Sequence, residues 1–433
     1  MRVVYDISVL GRGCLDSRSR TGIFRSVESL LIALYNSDQI DLTVTALTSK
    51  QHQWDSILAK EYIRSQPFSL EAIFQSAYQS QFNLDSLYDK LRLFQKGIIE
   101  KSNYQNIVLY RFNRLIKYLA FSITSWDYRC TFEPSKYQVF HSPFFRLPAV
   151  DKTRSLSRII TIHDLIPLLY PNFVTLKNKS LFREILSSIN PGKDWVICNS
   201  SSTKNDFCDY SKISTDRVFV TPFAADKFFF RVSDRDLIKL VMDKYQISHA
   251  PYLLSICTLE PRKNLAFLVS CFNQLLHEEP NLDINLVLVG AVGWSNEQLF
   301  EKLAASEVLR SRVIFTGYVP DDELSALYTG ATAFLFPSLY EGFGLPPLEA
   351  MQCGVPVITS NTSSLPEVVG DAGIMIDPTD EDALCQAILN LVNNEQLRAE
   401  LSQKGLERAK QFSWAKCAEQ TVEVYRIAAE NPP

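Results

Sequence analysis

The sequence contains no pair of cysteines spaced Cys-x-x-Cys, although nine of its 433 residues are cysteine. Zinc sites and thioredoxin-like redox chemistry therefore have no support in the sequence. The cysteines are odd in number and widely scattered, and several, such as Cys198, lie in apolar runs where cysteine behaves as a small hydrophobic residue. This use of cysteine predicts a protein kept in a reduced compartment.

The sequence also lacks a long apolar run, a convincing signal peptide and an excess of positive charge. No stretch is long and uncharged enough to cross a bilayer, and Asp6 interrupts the apolar N-terminal segment. Lys and Arg number 44 against 48 Asp and Glu, a formal net charge of -4, whereas proteins that bind nucleic acid usually present a basic surface. We therefore expect a cytoplasmic protein whose main partner is not nucleic acid.

Apolar strands alternate with helical patterns along most of the chain, which predicts parallel βα units. One series of strands is predicted at residues 3–10, 42–47, 137–141, 158–162, 195–199 and 218–222. A second series is predicted at residues 252–257, 284–290, 313–316, 331–336 and 355–360, and the clearest helices at residues 21–35, 264–277 and 381–393. The length of the chain suits two domains. We therefore predict an α/β protein with two doubly wound, Rossmann-like domains facing each other, so that both sets of strand ends line one cleft.

The segment at residues 225–250 is charged and poor in strands. We interpret it as the linker between an N-terminal domain of residues 1–224 and a C-terminal domain of residues 251–412. Its Asp234-Arg235-Asp236 run resembles a metal-binding Asp-x-Asp pair, but a solvated, charged linker explains these residues better.

Residues 51–133 break the βα rhythm and are predicted to form a mainly helical insertion. A basic segment with Arg111, Arg114 and Lys117 runs beside an apolar helical stripe. The stripe consists of Leu109, Phe112, Ile116, Leu119 and Ile123. Such a helix could pack on its own domain, or it could bind a membrane surface or the acceptor, since basic residues beside an apolar stripe favour anionic lipid.

A short run rich in proline and glycine, Glu341-Gly342-Phe343-Gly344-Leu345-Pro346-Pro347-Leu348-Glu349, follows the strand predicted at residues 331–336. Pro346 and Pro347 suit the first turn of a helix. Unpaired N–H groups and the positive end of the helix dipole at such a turn bind anions such as phosphate. The two carboxylates, Glu341 and Glu349, can accept hydrogen bonds from hydroxyl groups. The run therefore predicts a ligand that carries both a phosphate and a sugar.

Two other strand ends of the same predicted sheet supply complementary groups. Arg262 and Lys263 bring positive charge that could neutralise a diphosphate, and Gly290 permits close approach of a backbone. Alone, the Arg-Lys pair is better explained as an ordinary solvated pair before a helix. The convergence of the three strand ends predicts a nucleotide-sugar site.

An ordered set of motifs in the C-terminal half resembles retaining glycosyltransferase family 4, the group 1 glycosyltransferases of GT-B architecture. The matching segments are Glu260-Pro261-Arg262-Lys263-Asn264, Phe315-Thr316-Gly317-Tyr318-Val319, Phe336-Pro337-Ser338, the 341–349 run, Glu349-Ala350-Met351-Gln352-Cys353-Gly354-Val355-Pro356-Val357 and Leu365-Pro366-Glu367-Val368. The resemblance is close over residues 252–412 and absent over residues 51–133. In the remainder of the first half only Thr21-Gly22-Ile23 and Thr161-Ile162-His163-Asp164 match. It implies that residues 413–433 form a helix crossing back onto the N-terminal domain.

The resemblance implies a role in donor binding for each matching position. Lys263, with Arg262 beside it, is expected to contact the donor diphosphate and stabilise its charge. Glu349 is expected to accept hydrogen bonds from the ribose diol, and Glu341 to lie beside the transferred sugar. The remaining donor contacts are expected from the amides of Gly342, Phe343, Gly344 and Leu345, and from the backbone around Tyr318 and Val319, which would meet the base.

In the N-terminal half the resemblance places Gly22 in the first loop, near the diphosphate and the acceptor, and His163 against the transferred sugar. From the residues alone, His163 could equally be a structural histidine bonded to nearby backbone, and Gly22 could simply relieve crowding at a helix start. Cys257 departs from the pattern, because many family members have an arginine six residues before the phosphate-binding lysine. We hypothesise that Arg262 supplies the missing charge.

These observations predict a retaining glycosyltransferase of polysaccharide biosynthesis that moves a hexose or deoxyhexose from a nucleoside-diphosphate sugar to a saccharide or lipid-linked saccharide. Arg262, Lys263 and the helix terminus would stabilise the leaving diphosphate, so no metal or other cofactor is expected. GDP-mannose, UDP-glucose and dTDP- or GDP-deoxysugars all remain open as donors, as does peripheral contact with the inner face of a membrane. Two alternatives are a nucleotide-sugar epimerase of the same fold and a non-catalytic sugar-nucleotide-binding subunit.

Overall fold

The computed structural model describes residues 1–16, 20, 22–47, 52–66, 70–101, 107–149, 156–291, 293 and 296–432. The strands are β1 (Arg2–Asp6), β2 (Asp41–Thr45), β3 (Tyr78–Ser80), β4 (Tyr128–Cys130), β5 (Val139–Ser142), β6 (Ser157–Ile162), β7 (Trp195–Cys198), β8 (Val218–Val220), β9 (Tyr252–Ile256), β10 (Asn285–Val289), β11 (Val313–Gly317), β12 (Ala333–Phe336), β13 (Val357–Ser360) and β14 (Ile374–Ile376). The helices of the first half are α1 (Gly22–Tyr35), α2 (His52–Arg64), α3 (Asp85–Lys101), α4 (Ile107–Asp127), α5 (Ile166–Leu169), α6 (Leu176–Ser187) and α7 (Ser201–Ser211). Those of the second half are α8 (Arg235–Lys244), α9 (Leu265–Glu278), α10 (Glu297–Ala305), α11 (Glu307–Arg312), α12 (Asp321–Gly330), α13 (Leu345–Gln352), α14 (Leu365–Val369), α15 (Glu381–Asn393), α16 (Glu395–Ala409) and α17 (Trp414–Glu430).

The C-terminal lobe is built on a parallel sheet with the strand order β11-β10-β9-β12-β13-β14. Strands β10, β12 and β13 are buried at every position, as expected for parallel strands covered by helices on both faces. The strand order reverses between β9 and β12, and ligands of such sheets bind at that reversal, beyond the carboxyl ends of the strands. The turn Pro261–Lys263 follows β9 and the 341–349 run follows β12, so the topology brings both motifs to this point.

The N-terminal lobe has a second parallel sheet, with the order β2-β1-β5-β6-β7-β8.

Each strand predicted from the sequence is present, with ends that shift by a few residues. The sequence analysis misses β14, which has only three residues, two of them half-buried, so its apolar pattern is too short to stand out. The predicted helix at residues 21–35 is observed from Gly22, and Thr21 lies outside the described residues.

Helix α17 lies against the N-terminal lobe, which confirms the predicted crossing of the C-terminal segment. The hydroxyl of Tyr425 lies 2.7 Å from Nδ1 of His141 on β5, and Ser157 Oγ of β6 donates to the carbonyl of Ala428 at 2.5 Å. Tyr425 and His141 are fully buried. The last helix of the chain is therefore part of the core of the first lobe.

The segment interpreted as a linker contains helix α8. Asp234 caps this helix, because its Oδ1 accepts hydrogen bonds from the amides of Asp236 and Leu237 at 2.9 and 3.1 Å. Val241 and Met242 are buried. The Asp-x-Asp run is thus explained as a helix start, and part of the supposed linker is folded.

The insertion at residues 51–133 is mainly helical, as predicted, with α2, α3 and α4 beside an antiparallel β3–β4 pair. Residues 51, 67–69 and 102–106 of it lie outside the described residues. The predicted apolar stripe on α4 is partly wrong, since Ile116 is buried while Phe112 and Leu119 are exposed. The buried face is rotated toward Ala120 and Thr124, because the helix carries apolar residues on both sides. Within the part of the chain that the structure describes, no helix combines the length and the apolar character needed to cross a bilayer.

Candidate active site

A cleft of about 670 Å³ separates the carboxyl ends of the two sheets. Each residue that the sequence analysis singles out for catalysis or donor binding lines this cleft. They are Gly22 and His163 from the N-terminal lobe and Arg262, Lys263, Gly290, Tyr318, Val319, Glu341, Gly342, Phe343, Gly344, Leu345 and Glu349 from the C-terminal lobe. The roles given to these residues remain predictions, but their proximity is a property of the fold.

The 341–349 run forms a loop that leads into helix α13, with Gly344 as the residue before its first turn. Pro346 and Pro347 occupy that first turn, as predicted. Within the described residues, the amides of Gly342 to Leu345 donate to no protein acceptor. A helix start that leaves its donors unpaired beside a cleft has the chemistry of an anion site.

Glu341 lies between two cations at the edge of this loop. Its Oε1 accepts from Lys263 Nζ at 2.6 Å and is 2.6 Å from Arg262 Nη1. Ser338 Oγ donates to the same oxygen at 2.6 Å. The other oxygen, Oε2, accepts no hydrogen bond from any described residue. Glu341 therefore has one oxygen held rigidly and one left for a ligand.

The charge of Glu341 is strongly stabilised. Burial would raise the pKa of this carboxyl, but Arg262 and Lys263 outweigh burial and hold the pKa at about 2. Burial likewise works against the charged form of Arg262, yet Glu341 and Glu260 raise the pKa of its guanidinium above the usual value. Glu341 and Arg262 are therefore both ionised near neutral pH.

Arg262 is more occupied than the sequence suggests. Besides Glu341 it donates to Glu260 Oε1 at 2.6 Å and to the carbonyl of Tyr340 at 2.7 Å. These acceptors hold the guanidinium against the loop that carries Glu341. Cys257, where many relatives have arginine, brings no charge, because burial raises the pKa of its thiol to about 12.

Two glycines allow elements to approach more closely than a side chain would permit. A Cβ at Gly290 would lie 1.9 Å from the carbonyl oxygen of Cys257, and the φ of Gly290 is +138°. A Cβ at Gly342 would lie 2.0 Å from the carbonyl oxygen of His163, in the opposite lobe. Gly290 lets β10 end against the β9 loop. Gly342 lets the two lobes touch, which sequence reasoning did not foresee.

His163 projects from the end of β6 into the cleft wall between the rings of Phe144 and Phe223. Burial lowers the pKa of its imidazole to about 4. Nε2 is 2.7 Å from the carbonyl oxygen of Pro143, so Nε2 must carry the proton and Nδ1 must be the acceptor. The backbone hydrogen bond expected of a structural histidine is present, and it also orients the ring.

Glu349 has a partner that the sequence analysis missed. Arg25 Nη2 lies 2.9 Å from Glu349 Oε1, and the hydroxyl of Tyr328 donates to Oε2 at 3.0 Å. Burial raises the pKa of Glu349, and Arg25 opposes this shift. Arg25 follows Gly22 by one helical turn, so the spacing could have placed both residues on one face of α1.

The lobes are also joined by hydrogen bonds beside the cleft. Ser200 Oγ and Thr203 Oγ1 of the N-terminal lobe donate to the carbonyl of Gly342 at 2.7 and 3.1 Å. Glu367 accepts from the amides of Ser201 and Ser202 at 2.8 and 2.9 Å, at the N-terminus of α7 where negative charge is favoured. The lobes are therefore in contact.

Among the residues that line the cleft, Val319 is buried and Tyr318 is about half exposed. Both residues come directly after Gly317, the last residue of β11. Strand β11 is the neighbour of β10 at the edge of the sheet. This position leaves the Tyr318 ring available at the surface.

Among the described residues, no three His, Cys, Asp or Glu side chains cluster as a metal site would require.

The chain resembles characterised proteins over both lobes. Residues 240–408 match the family model described as glycosyl transferases group 1. The O-antigen chain mannosyltransferase B of Escherichia coli is 36% identical over 294 residues, which cover 67% of this chain and 74% of that protein.

Solved structures share the architecture. A sucrose-phosphate synthase from Thermosynechococcus elongatus has a TM-score of 0.64 and 18% identity, with 98% of each chain covered. Anabaena Alr3699/HepE, solved with UDP and glucose, has a TM-score of 0.63 and 15% identity, again over 98% of each chain. These matches confirm the predicted fold of two facing Rossmann-like lobes. The family-model match and the 36% identity to the E. coli transferase show that this chain belongs to the group 1 glycosyltransferases.

Proposed function

We propose that this glycosyltransferase moves mannose from a nucleoside-diphosphate mannose to a hydroxyl of a saccharide acceptor, with retention of anomeric configuration and without a metal. The observation that carries the proposal is the joint placement of Lys263, Glu341 and the unpaired amides of residues 342–345 at one end of the cleft. The choice of mannose is supported by the mannosyltransferase relative from E. coli.

The proposed site addresses the main barrier of the reaction. When the bond between the sugar C1 and the diphosphate oxygen breaks, negative charge collects on the diphosphate. Lys263 and the loop amides would stabilise that charge, and each well-placed donor of this kind contributes about 3 kcal/mol in other enzymes. This is the role that a metal ion would otherwise fill.

Glu341 and His163 suit the positioning of the sugar. Three donors on Glu341 Oε1 make the carboxylate a poor nucleophile, while the unoccupied Oε2 can accept a sugar hydroxyl. The neutral imidazole of His163 offers Nδ1 as an acceptor from the opposite lobe. The acceptor hydroxyl would attack C1 on the face that the diphosphate leaves, and its proton would pass to a departing phosphate oxygen.

The E. coli relative, by its name, acts on an O-antigen chain. We extend this to the acceptor here and propose a growing saccharide, free or lipid-linked. The relatives do not favour an epimerase or a binding subunit.

A donor and acceptor screen tests the proposal. The protein is incubated with GDP-mannose, UDP-glucose or a dTDP-deoxysugar, with and without mannose oligosaccharides, and the products are analysed by NMR. We expect an α-linked mannoside from the α-configured mannose donor only when acceptor is present. A β-linked product would refute retention, and an epimerised nucleotide sugar formed from donor alone would refute transfer.

The metal-free mechanism has its own test. Transfer is measured after dialysis against EDTA and again after addition of Mg²⁺ or Mn²⁺. We expect the rate to stay within twofold throughout. A rate that is lost with EDTA and restored by either ion would contradict the proposed role of Lys263 and the amides.

A further inference from the structure

The insertion carries an exposed apolar surface that the cleft does not use. Helices α3 and α4 and the residues just before α3 expose ten large apolar side chains, each between 40% and 73% accessible. Seven of them we call the α3–α4 patch: Phe82, Leu87, Phe94, Phe112, Leu115, Leu119 and Trp126. The other three are Leu93, Val108 and Tyr118.

The patch is continuous across the two helices. Phe94 of α3 contacts Phe112 of α4, with ring centroids 6.2 Å apart, and Phe82 stacks on Trp126 at 4.3 Å. Between these contacts, Leu115 and Leu119 follow Phe112 at spacings of three and four residues, which places them on one line along α4. Large exposed apolar surfaces of this kind mark interaction sites.

Both helices that carry the patch also expose positive charge. Arg111 and Arg114 are exposed on α4, and Lys90 and Lys101 are exposed on α3. Within the described residues none of these four cations pairs with a carboxylate. Residues 107–126 contain no Asp or Glu, although the whole chain has a net charge of -4.

The acidic residues of α3 lie on a different side of the helix. At about 100° per residue, Asp89 and Glu100 project more than about 100° away from Phe94. Asp89 is further engaged by Arg92 at 3.5 Å. On the same measure, Lys90 and Lys101 project within about 40° of Phe94 and Arg111 about 100° from Phe112, while Arg114 lies farther round α4. The exposed side of the two helices therefore combines the apolar patch with cations close to it.

We propose that the α3–α4 patch docks this protein on an anionic lipid surface. An amphipathic helix with Trp, Phe and Leu on one face and Arg or Lys beside them binds in the interface plane of a bilayer, where Trp is favoured. A second copy of the chain fits less well, because a two-fold pairing of the patch would bring the same cations together. The proposal stands independently of the sugar donor and of the reaction.

Binding to vesicles tests the proposal with the full-length chain. The protein is sedimented with vesicles of phosphatidylcholine alone or of phosphatidylcholine containing phosphatidylglycerol. We expect at least tenfold stronger binding to the anionic vesicles, weakening as salt is added. Equal or undetectable binding to both kinds of vesicle would overturn the proposal.

Two pairs of substitutions assign the binding to the patch. Leu115→Ser with Leu119→Ser should weaken binding at least tenfold. Arg111→Gln with Arg114→Gln should weaken it about thirtyfold, at roughly 1 kcal/mol for each cation. Leu237→Ser with Leu240→Ser on α8, where both leucines are also exposed, is the matched control and should bind as the unmodified protein does.

Folding and self-association are checked on the same proteins. All three double variants change exposed side chains, so their thermal unfolding midpoints should match that of the unmodified chain. If Leu115→Ser with Leu119→Ser bound anionic vesicles normally, the patch would not be the docking surface. If instead sedimentation showed a dimer that these substitutions dissociate, the patch would belong to a second copy and the lipid proposal would be wrong.

Discussion

Arg25 of the first lobe and Glu349 of the second form an ion pair across the cleft, with Nη2 and Oε1 2.9 Å apart. Glu349 is almost completely buried, and Arg25 is largely so. The carboxylate predicted to bind the ribose is therefore engaged by a cation of the opposite lobe. A donor must share Glu349 with Arg25 or displace it, which couples nucleotide binding to the contact between the lobes.

Replacing Arg25 should destabilise the protein. Arg25→Met leaves Glu349 buried and without its cation, a loss of about 3 kcal/mol for buried pairs. We expect a clear drop in the urea-unfolding midpoint. Arg426→Met is the control, because Arg426 pairs with Glu423 at the surface, where such pairs contribute about 0–1 kcal/mol. Equal midpoints for the two variants would show that the cleft pair does not stabilise the contact between the lobes.

Replacing Lys263 should mainly reduce turnover. Lys263→Ala removes one cation from the proposed leaving-group site, and we expect kcat to fall about 10²–10³-fold with the donor found in the screen. Lys263→Arg, which keeps the charge, should recover part of the loss. Lys302→Ala on α10, an exposed lysine, should have no effect. A Lys263→Ala enzyme with a kcat within threefold of the unmodified one would remove Lys263 from the mechanism.

Arg262 should behave differently from Lys263. Arg262→Ala leaves both Glu260 and Glu341 short of a partner, so we expect a lower thermal midpoint together with weaker donor binding. This outcome would identify Arg262 as a residue that positions Glu341 as well as a source of charge. Unchanged donor affinity and turnover would rule out compensation for Cys257.

A methyl group at Gly342 should hold the lobes apart. The added Cβ would lie 2.0 Å from the carbonyl oxygen of His163. Because this neighbour is a backbone atom, it cannot move aside as the end of a side chain could. We expect Gly342→Ala to lose transfer while its circular dichroism spectrum stays that of the native fold. Gly97→Ala is the control, since a Cβ there meets nothing within 4 Å. Full activity in Gly342→Ala would mean that the reaction does not require this contact.

His141 should make stability depend on pH. Burial lowers the pKa of His141 from 6.5 to about 3, so below pH 6.5 the unfolded chain binds a proton that the native chain does not. Its contribution to the free energy of unfolding therefore falls as the pH falls from about 6.5 to about 3, by up to about 1.4 kcal/mol per unit.

The comparison of the unmodified protein with His141→Gln isolates this effect. Burial raises the pKa values of Glu28 and Asp55 to about 7 and about 6. These two groups contribute equally to the pH dependence of both proteins, so their contributions cancel in the difference. We expect the stability advantage of the unmodified chain to shrink as the pH is lowered from 6.5 to 4. Parallel profiles from urea unfolding would contradict a buried, neutral His141.

The parts of the site that could be predicted from sequence are those with a local signal. The glycines and prolines of residues 341–349 determine a turn and a helix start within nine positions, and Lys263 follows a recognisable strand. The pairing of Arg25 with Glu349 has no such signal, because it depends on how two lobes pack. The close approach of Gly342 to the carbonyl oxygen of His163 could not be predicted for the same reason. It also involves a backbone atom, which is the same in every residue type.

The insertion shows a different limit. Helix α4 has apolar residues on two sides, with Ile116 and Ala120 buried and Leu115 and Leu119 exposed. Periodicity predicts that such a segment is helical, but it does not determine which side faces inward. The choice depends on contacts with α2 and α3, such as the hydrogen bond from Tyr88 to Asp127 at 2.7 Å, between residues far apart in the chain.

The position of α17 restricts how the lobes of this protein can be recombined with those of another enzyme. A chimaera that takes its donor-binding half from another enzyme would need a second junction near residue 413, so that Tyr425 remains with the His141 it packs against. A single crossover between the sheets would graft a foreign helix into the first lobe. Exchange of sugar specificity by simple fusion should therefore yield insoluble protein more often than active hybrids.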